Sequence, residues 1–202
     1  SVSVEAGFLN EQPTDFSKAA NRAAMAQEIQ YVEAEISTRG NTPYALVIGG
    51  QDVTTGDVIE SVNPADPTQV VGVASKAGIP EVERAVASAK QALASWQNTT
   101  ARDRATFLRR AADLMRERKF TLAAWMIVEE GKTWREALGD VDEAIDSLTY
   151  YAVEAIRLEQ EDAKRALAGW QRVPNGVAAV IAPWNSPLAI LTGMTVGALA
   201  AG

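Results

Sequence analysis

The sequence predicts an α/β protein built around an open, parallel sheet, and three observations carry that prediction. Residues 177–182 form a short apolar run that reads as a fully buried strand. The run stops at Pro183, passes through Trp184, Asn185 and Ser186, and meets a second proline at Pro187. Residues 189–201 then read as a helix of small side chains. Strand, loop and helix in that order form the unit that places ligands at the carboxyl ends of strands in open sheets. An Asn in such a loop can offer its NH2 group to an oxygen that becomes negative during a reaction. Taken alone, Pro183-Trp184-Asn185 also fits a structural turn, with Trp184 in the core and Asn185 bonded to its own backbone.

The remaining elements follow in order. Residues 15–38 carry Phe16, Ala20, Ala24, Ile29, Val32 and Ile36 at helical spacing, with Thr14 or Asp15 as a cap and Gly40 as a stop. Residues 44–48 read as a strand closed by Gly49-Gly50. Residues 58–62 and 70–74 are further strands, joined by a turn over Asn63-Pro64-Ala65-Asp66-Pro67. From Pro80 the pattern turns helical. Val82, Ala85, Val86, Ala89, Leu93 and Trp96 make one apolar stripe. Thr100-Ala101-Arg102-Asp103 resembles a capping box and opens the next helix. A third helix covers 121–130 and stops at Gly131. A fourth runs over 133–158 and keeps Ala137, Val141, Ala144, Ile145, Leu148, Ala152 and Ile156 on one face. Residues 169–173 form a possible strand before a turn at Pro174-Asn175-Gly176.

Composition bounds the function. The 202 residues carry a net charge of −7 and are 47% hydrophobic. Charges of both signs are spread along the helices, which argues against a nucleic-acid surface. The chain has no cysteine and no histidine. That excludes a disulfide, a zinc site of the usual kind and a Cys–His or Ser–His–Asp nucleophile within these residues. No charged residue follows Arg172, but Pro174, Pro183 and Pro187 break the run, so a membrane span is not expected. The opening residues lack the pattern of a signal peptide, and a cytoplasmic protein is the plain expectation. The final strand–loop–helix unit starts a βαβ repeat whose second strand is not in the sequence. A parallel strand needs a ladder partner. Either truncation or completion by another polypeptide is therefore expected.

Several motifs, in one order, carry a resemblance. Tyr44-Ala45-Leu46-Val47-Ile48-Gly49-Gly50 follows an early helix. Ser61-Val62-Asn63-Pro64 forms a strand and turn. Arg109 to Met115, Glu130-Gly131-Lys132-Thr133-Trp134 and Glu143-Ala144-Ile145-Asp146 with Tyr150-Tyr151 lie on helices. Pro183-Trp184-Asn185-Ser186-Pro187-Leu188 ends the set. Together they resemble the N-terminal part of the aldehyde dehydrogenase superfamily, and within it the pyrroline-carboxylate (glutamate γ-semialdehyde) subgroup. The resemblance implies a Rossmann-like NAD-binding domain over 41–202, incomplete here. An N-terminal helical extension would cover 1–40, with an oligomerisation strand near 168–173.

The resemblance also implies roles. Asn185 would be the oxyanion-hole amide, acting after a Cys thiolate has attacked the aldehyde. Ile181, Ala182, Pro183 and Trp184 would line the cleft for NAD, with NADP left open. Glu136 and Ser186 are weaker substrate candidates; for Glu136 the reading as a solvated helix carboxylate stands beside it. The family usually carries Phe where Ser186 stands, which puts the pocket shape in question. The nucleophilic Cys and the general-base Glu motif are absent from these residues. The Arg102, Arg104, Arg109 and Arg110 cluster reads as surface pairing rather than phosphate binding. The implied partners are a small aldehyde, further copies of the chain and the missing C-terminal part of the same enzyme; no nucleic acid, membrane or metal is implied. The implied reaction is oxidation of glutamate γ-semialdehyde to glutamate. The alternatives are another semialdehyde dehydrogenase, or a non-catalytic dehydrogenase half acting as an interaction module.

Overall fold

A computed structural model describes residues 8–166, 169 and 172–202. Among them the chain forms α1 (Ala19–Arg39), β1 (Leu46–Ile48), β2 (Gln51–Val53), β3 (Val58–Asn63), β4 (Asp66–Ser75), α2 (Ile79–Trp96), α3 (Ala101–Glu117), α4 (Lys119–Glu130), α5 (Trp134–Ala166) and α6 (Ala189–Ala201). Two compact units share these elements. One contains Thr14–Ala92 and Phe120–Leu138; the other contains the described residues up to Pro13, with Leu93–Lys119 and Gly139–Gly202.

In the first unit the strands form two separate antiparallel hairpins. β1 pairs with β2, Leu46 opposite Val53 and Ile48 opposite Gln51. Gly49 and Gly50 make the turn at φ 62° and 76°, the left-handed pair that a two-residue hairpin loop demands. The sequence reading found β1 but not β2, although a Gly-Gly pair after a strand is a hairpin signal. β3 pairs with β4 from Val58 opposite Ser75 to Asn63 opposite Asp66, with irregular register around Val62. The Asn63 carboxamide oxygen accepts from the Ala65 N–H at 2.8 Å, which fixes the turn.

Helix α1 begins later than the expected position 15. The Asp15 carboxylate accepts from Ser17 N–H at 2.9 Å, so it closes a turn of its own. The cap position falls to Lys18, with no side-chain acceptor. Gly40 ends α1 as expected, at φ 55°. Met25, Val32 and Ile36 bury its inner face. Thr121 donates to Glu28 at 2.8 Å and ties α4 to α1. The α2 stripe is periodic but not covered: Val82 and Val86 are 54% and 40% exposed.

The second unit is helical. Thr100 caps α3 as its sequence predicts, accepting from Asp103 N–H at 3.1 Å. The long helix α5 has 33 residues, a length of about 50 Å at 1.5 Å per residue. It runs past the expected end at Leu158 because Arg157 pairs with Glu154 at 2.7 Å and with Glu161 at 2.5 Å. Pairs at these spacings support a helix without an apolar face. Helix α6 lies close to α5 because its facing residues lack side chains. A Cβ on Gly193 would stand 3.3 Å from the Ser147 hydroxyl, and one on Gly197 would stand 3.3 Å from the Tyr151 ring. Trp96 donates to Leu199 C=O at 3.0 Å, and Arg104 donates to Ala200 C=O at 3.1 Å. One member of the arginine cluster thus caps a helix end, where a cation is favoured. The N-terminal segment is tied down as well. Asn10 and the Glu11 N–H both donate to Asp146 at 2.7 Å, and Glu11 pairs with Arg116.

The buried strand expected at 177–182 is corrected by the structure. These residues take no regular secondary structure and belong to no ladder, and Val177 and Ile181 are 41% and 84% exposed. A parallel strand is buried only by neighbours on both sides and layers on both faces. No such neighbour lies beside it among the described residues. The strand expected at 169–173 falls partly outside the described residues; Arg172 and Val173 lie in no strand. No helix among the described residues is long and apolar enough to cross a membrane.

One ion pair in the helical unit gives a pH prediction. Burial raises the Asp142 carboxyl above its ordinary value, and Lys119 at 2.5 Å offsets this only in part. The folded protein then holds this proton more tightly than the unfolded chain. Stability from this site is gained as pH falls and lost as pH rises through the raised value. Wild type should therefore gain stability over Asp142→Asn when thermal unfolding is followed from neutral pH down toward 4. A wild type that loses ground on acidification would show the Lys119 attraction outweighing the burial.

Candidate active site

The loop between residues 177–182 and α6 is built by its two prolines. Pro183 and Pro187 fix φ at both ends and donate nothing. Between them, residues 184–188 turn, and Ile190 N–H closes the first helical bond on Ser186 C=O at 3.1 Å. Ser186 and Pro187 are half-buried. Asn185 is exposed, and among the described residues its carboxamide has no hydrogen-bond partner. Trp184 is 83% exposed. The structural-turn reading, with Trp184 in the core and Asn185 bonded to its own backbone, is not what the structure shows.

The start of α6 is held from outside. Ala189 N–H donates to the Asp140 carboxylate at 2.6 Å, and both residues are buried. Below this bond the two helices leave a cavity of about 320 Å³. Glu143, Ser147 and Tyr151 line it from α5; Ala189, Ile190, Gly193 and Met194 line it from α6. Positions 143, 147 and 151 share one helix face by their four-residue spacing. The cavity therefore offers one carboxylate and two hydroxyls on one wall and a mostly apolar opposite wall. A larger cavity of about 610 Å³ in the hairpin unit, lined by Tyr44, Ser61, Trp125 and Glu129 among others, contains none of the loop residues.

The two α5 carboxylates are used differently. Glu136 accepts from Thr133 N–H at 3.2 Å and from the Thr133 hydroxyl at 2.8 Å. These bonds hold its pKa below the ordinary value. With Glu136 N–H returned to Thr133 Oγ at 3.3 Å, this is a reciprocal capping box. The Thr-x-x-Glu spacing was visible in the sequence and should have marked Glu136 as a cap. Glu143, Ser147 and Tyr151 were not singled out there as site residues. Their signal was a polar row four apart, running beside the apolar stripe of Ala144, Leu148 and Ala152. Among the described residues no group of three or more acidic, His or Cys side chains is placed to hold a metal ion.

Comparison with known proteins identifies the fold. The profile of the aldehyde dehydrogenase family matches residues 51–202. The chain is 41% identical over 199 residues to a 1-pyrroline-5-carboxylate dehydrogenase of Geobacillus thermodenitrificans, covering 96% of this chain and 38% of that protein. It is 42% identical, with the same coverage, to 1-pyrroline-5-carboxylate dehydrogenase 2 of Halalkalibacterium halodurans. Among solved structures, the NAD-bound 1-pyrroline-5-carboxylate dehydrogenase from Thermus superposes with a TM-score of 0.82 at 36% identity, over 98% of this chain and 38% of that one. The chain thus spans 38% of the length of these relatives. The structure superposes on part of these larger proteins; among the described residues the strands form only antiparallel hairpins, and the expected open parallel sheet is not present. By the match over 51–202 and these relatives, the chain belongs to the aldehyde dehydrogenase family.

Proposed function

We propose that this chain supplies part of the active site of a cytoplasmic, homo-oligomeric enzyme that oxidises L-glutamate γ-semialdehyde to glutamate with NAD. One observation carries the reading. The free carboxamide of Asn185 stands four residues before Ala189, which lines a cavity bearing a carboxylate and two hydroxyls. The names of the similar proteins support the same substrate, as the acid that cyclises to pyrroline-5-carboxylate.

The chemistry assigned to these residues is limited and specific. Asn185 donates its NH2 to the carbonyl oxygen as attack by a thiolate makes it negative. That thiolate comes from outside these residues, which contain no cysteine. Glu143 pairs with the α-ammonium of the amino-acid aldehyde, and the Ser147 and Tyr151 hydroxyls donate to its α-carboxylate. Ser186, half-buried beside Asn185, is a small side chain where a larger one would fill more of the space next to the amide. Residues 181–184 fit a dinucleotide. Ile181 and Trp184 expose large apolar surfaces, and no ladder engages the backbone of 181–183. NAD bound there would accept the hydride from the reacting carbon. The uncovered apolar residues of this segment and of α2 support burial against further polypeptide of the same protein.

The test is substrate selectivity in the complete enzyme. Glu143→Gln should raise KM for glutamate γ-semialdehyde by about ten- to a hundredfold, the scale of one charged hydrogen bond. KM for propanal, which has no ammonium group, should stay the same. Equal effects on both aldehydes would remove Glu143 from substrate recognition.

A further inference from the structure

We propose that Asp140 is a positioning residue, holding the loop that carries Asn185 against α5 by capping α6 from outside that helix. The proposal rests on the oxyanion reading of Asn185 given above. Helix α6 starts without a cap of its own. Its cap position is Leu188, at φ −89° and ψ −49°, with no side-chain hydrogen bond. The first N–H groups of any helix lack partners within it and need them when buried. Ala189 is 5% exposed and Asp140 is 4% exposed. The 2.6 Å bond between them joins positions 49 apart in the chain. The carboxylate also meets the positive end of the helix dipole, so the bond is charge-assisted.

The bond acts on Asn185 through a short and stiff path. Pro187 fixes one of the intervening backbone angles. Ser186, next to Asn185, already accepts the first helical hydrogen bond from Ile190 at 3.1 Å. A shift of the α6 start against α5 therefore carries Asn185 with it. Asp140 also lies one turn before Glu143. A single bond thus sets the spacing between the amide at the loop and the carboxylate in the cavity.

The experiment uses the complete enzyme. Asp140→Ala is expected to lower kcat by about 10- to 100-fold, the scale for a misplaced catalytic group. Asp140→Asn keeps a carbonyl oxygen for the Ala189 N–H and should restore most of the loss. The deciding readout is coupling. In an Asn185→Ala background, Asp140→Ala should reduce kcat no further. An equal loss in both backgrounds overturns the proposal, and so does an unchanged kcat with only a lower melting temperature. Should Asp140→Ala not fold, Asp140→Glu keeps the charge but lengthens the arm, and its kcat loss is read by the same coupling. Full turnover in Asn185→Ala alone overturns the reading of Asn185; a loss there without coupling overturns only the role of Asp140.

Discussion

If Asn185 is the oxyanion donor proposed above, Asn185→Ala in the complete enzyme is expected to lower kcat by about 100- to 1000-fold, the cost of deleting one such donor, and to leave NAD affinity nearly unchanged. The size follows from when the amide acts. A neutral aldehyde oxygen gains little from an NH2 group that water could replace. The oxygen formed on attack carries a full charge, and a donor already in place stabilises it without reorganisation. An interaction made mainly in the transition state appears in kcat rather than in KM. Asn185 meets the structural requirement for this role. It is exposed, its carboxamide is committed to no other bond among the described residues, and prolines bracket its backbone. Single-turnover measurement of NADH formation, with NAD binding measured separately by calorimetry, separates the two effects. Turnover within a factor of about three of wild type would leave no room for a donor worth the expected energy.

The difference between what was legible and what was not lies in partners. Helices were legible because their period is local: the stripe of Val141, Ile145 and Leu148 appears in the sequence and is buried in the fold. The caps at Thr100 and Gly131 were legible for the same reason, since each needs only neighbours within one turn. Residues 177–182 have the composition of a buried strand, yet burial belongs to what lies against a segment and not to the segment. The same holds for the α2 stripe. Asn185 was singled out because its loop chemistry is compact in sequence. The cavity was not, because its two walls come from α5 and α6, and the row at 143, 147 and 151 becomes a wall only when Gly193 lets the helices close. Glu136 and Glu143 lie seven apart on one helix. Periodicity cannot tell them apart, and only the Thr133 capping bonds assign the first to structure.

Ile145→Ala is the most damaging single truncation expected in the helical unit, at about 2–5 kcal/mol of stability. Ile145 is 0% exposed near the middle of α5. Leu138, Val141 and Leu148 on the same stripe are each no more than 2% exposed. Removing a buried side chain loses its transfer energy and leaves a cavity whose cost depends on how far the surroundings collapse. Collapse here is limited. Ala144, Ala152 and Ala155 are already small and buried, so they have little side chain to move inward. The loss should therefore fall in the upper part of the range. Ile145→Val, which removes one methylene, should cost about 1 kcal/mol. Urea unfolding of the complete enzyme, followed by tryptophan fluorescence, measures the series. A midpoint for Ile145→Ala no lower than that for Ile145→Val would show that the surroundings of Ile145 close over the gap. That would contradict a site already closely packed with Ile145 fully buried.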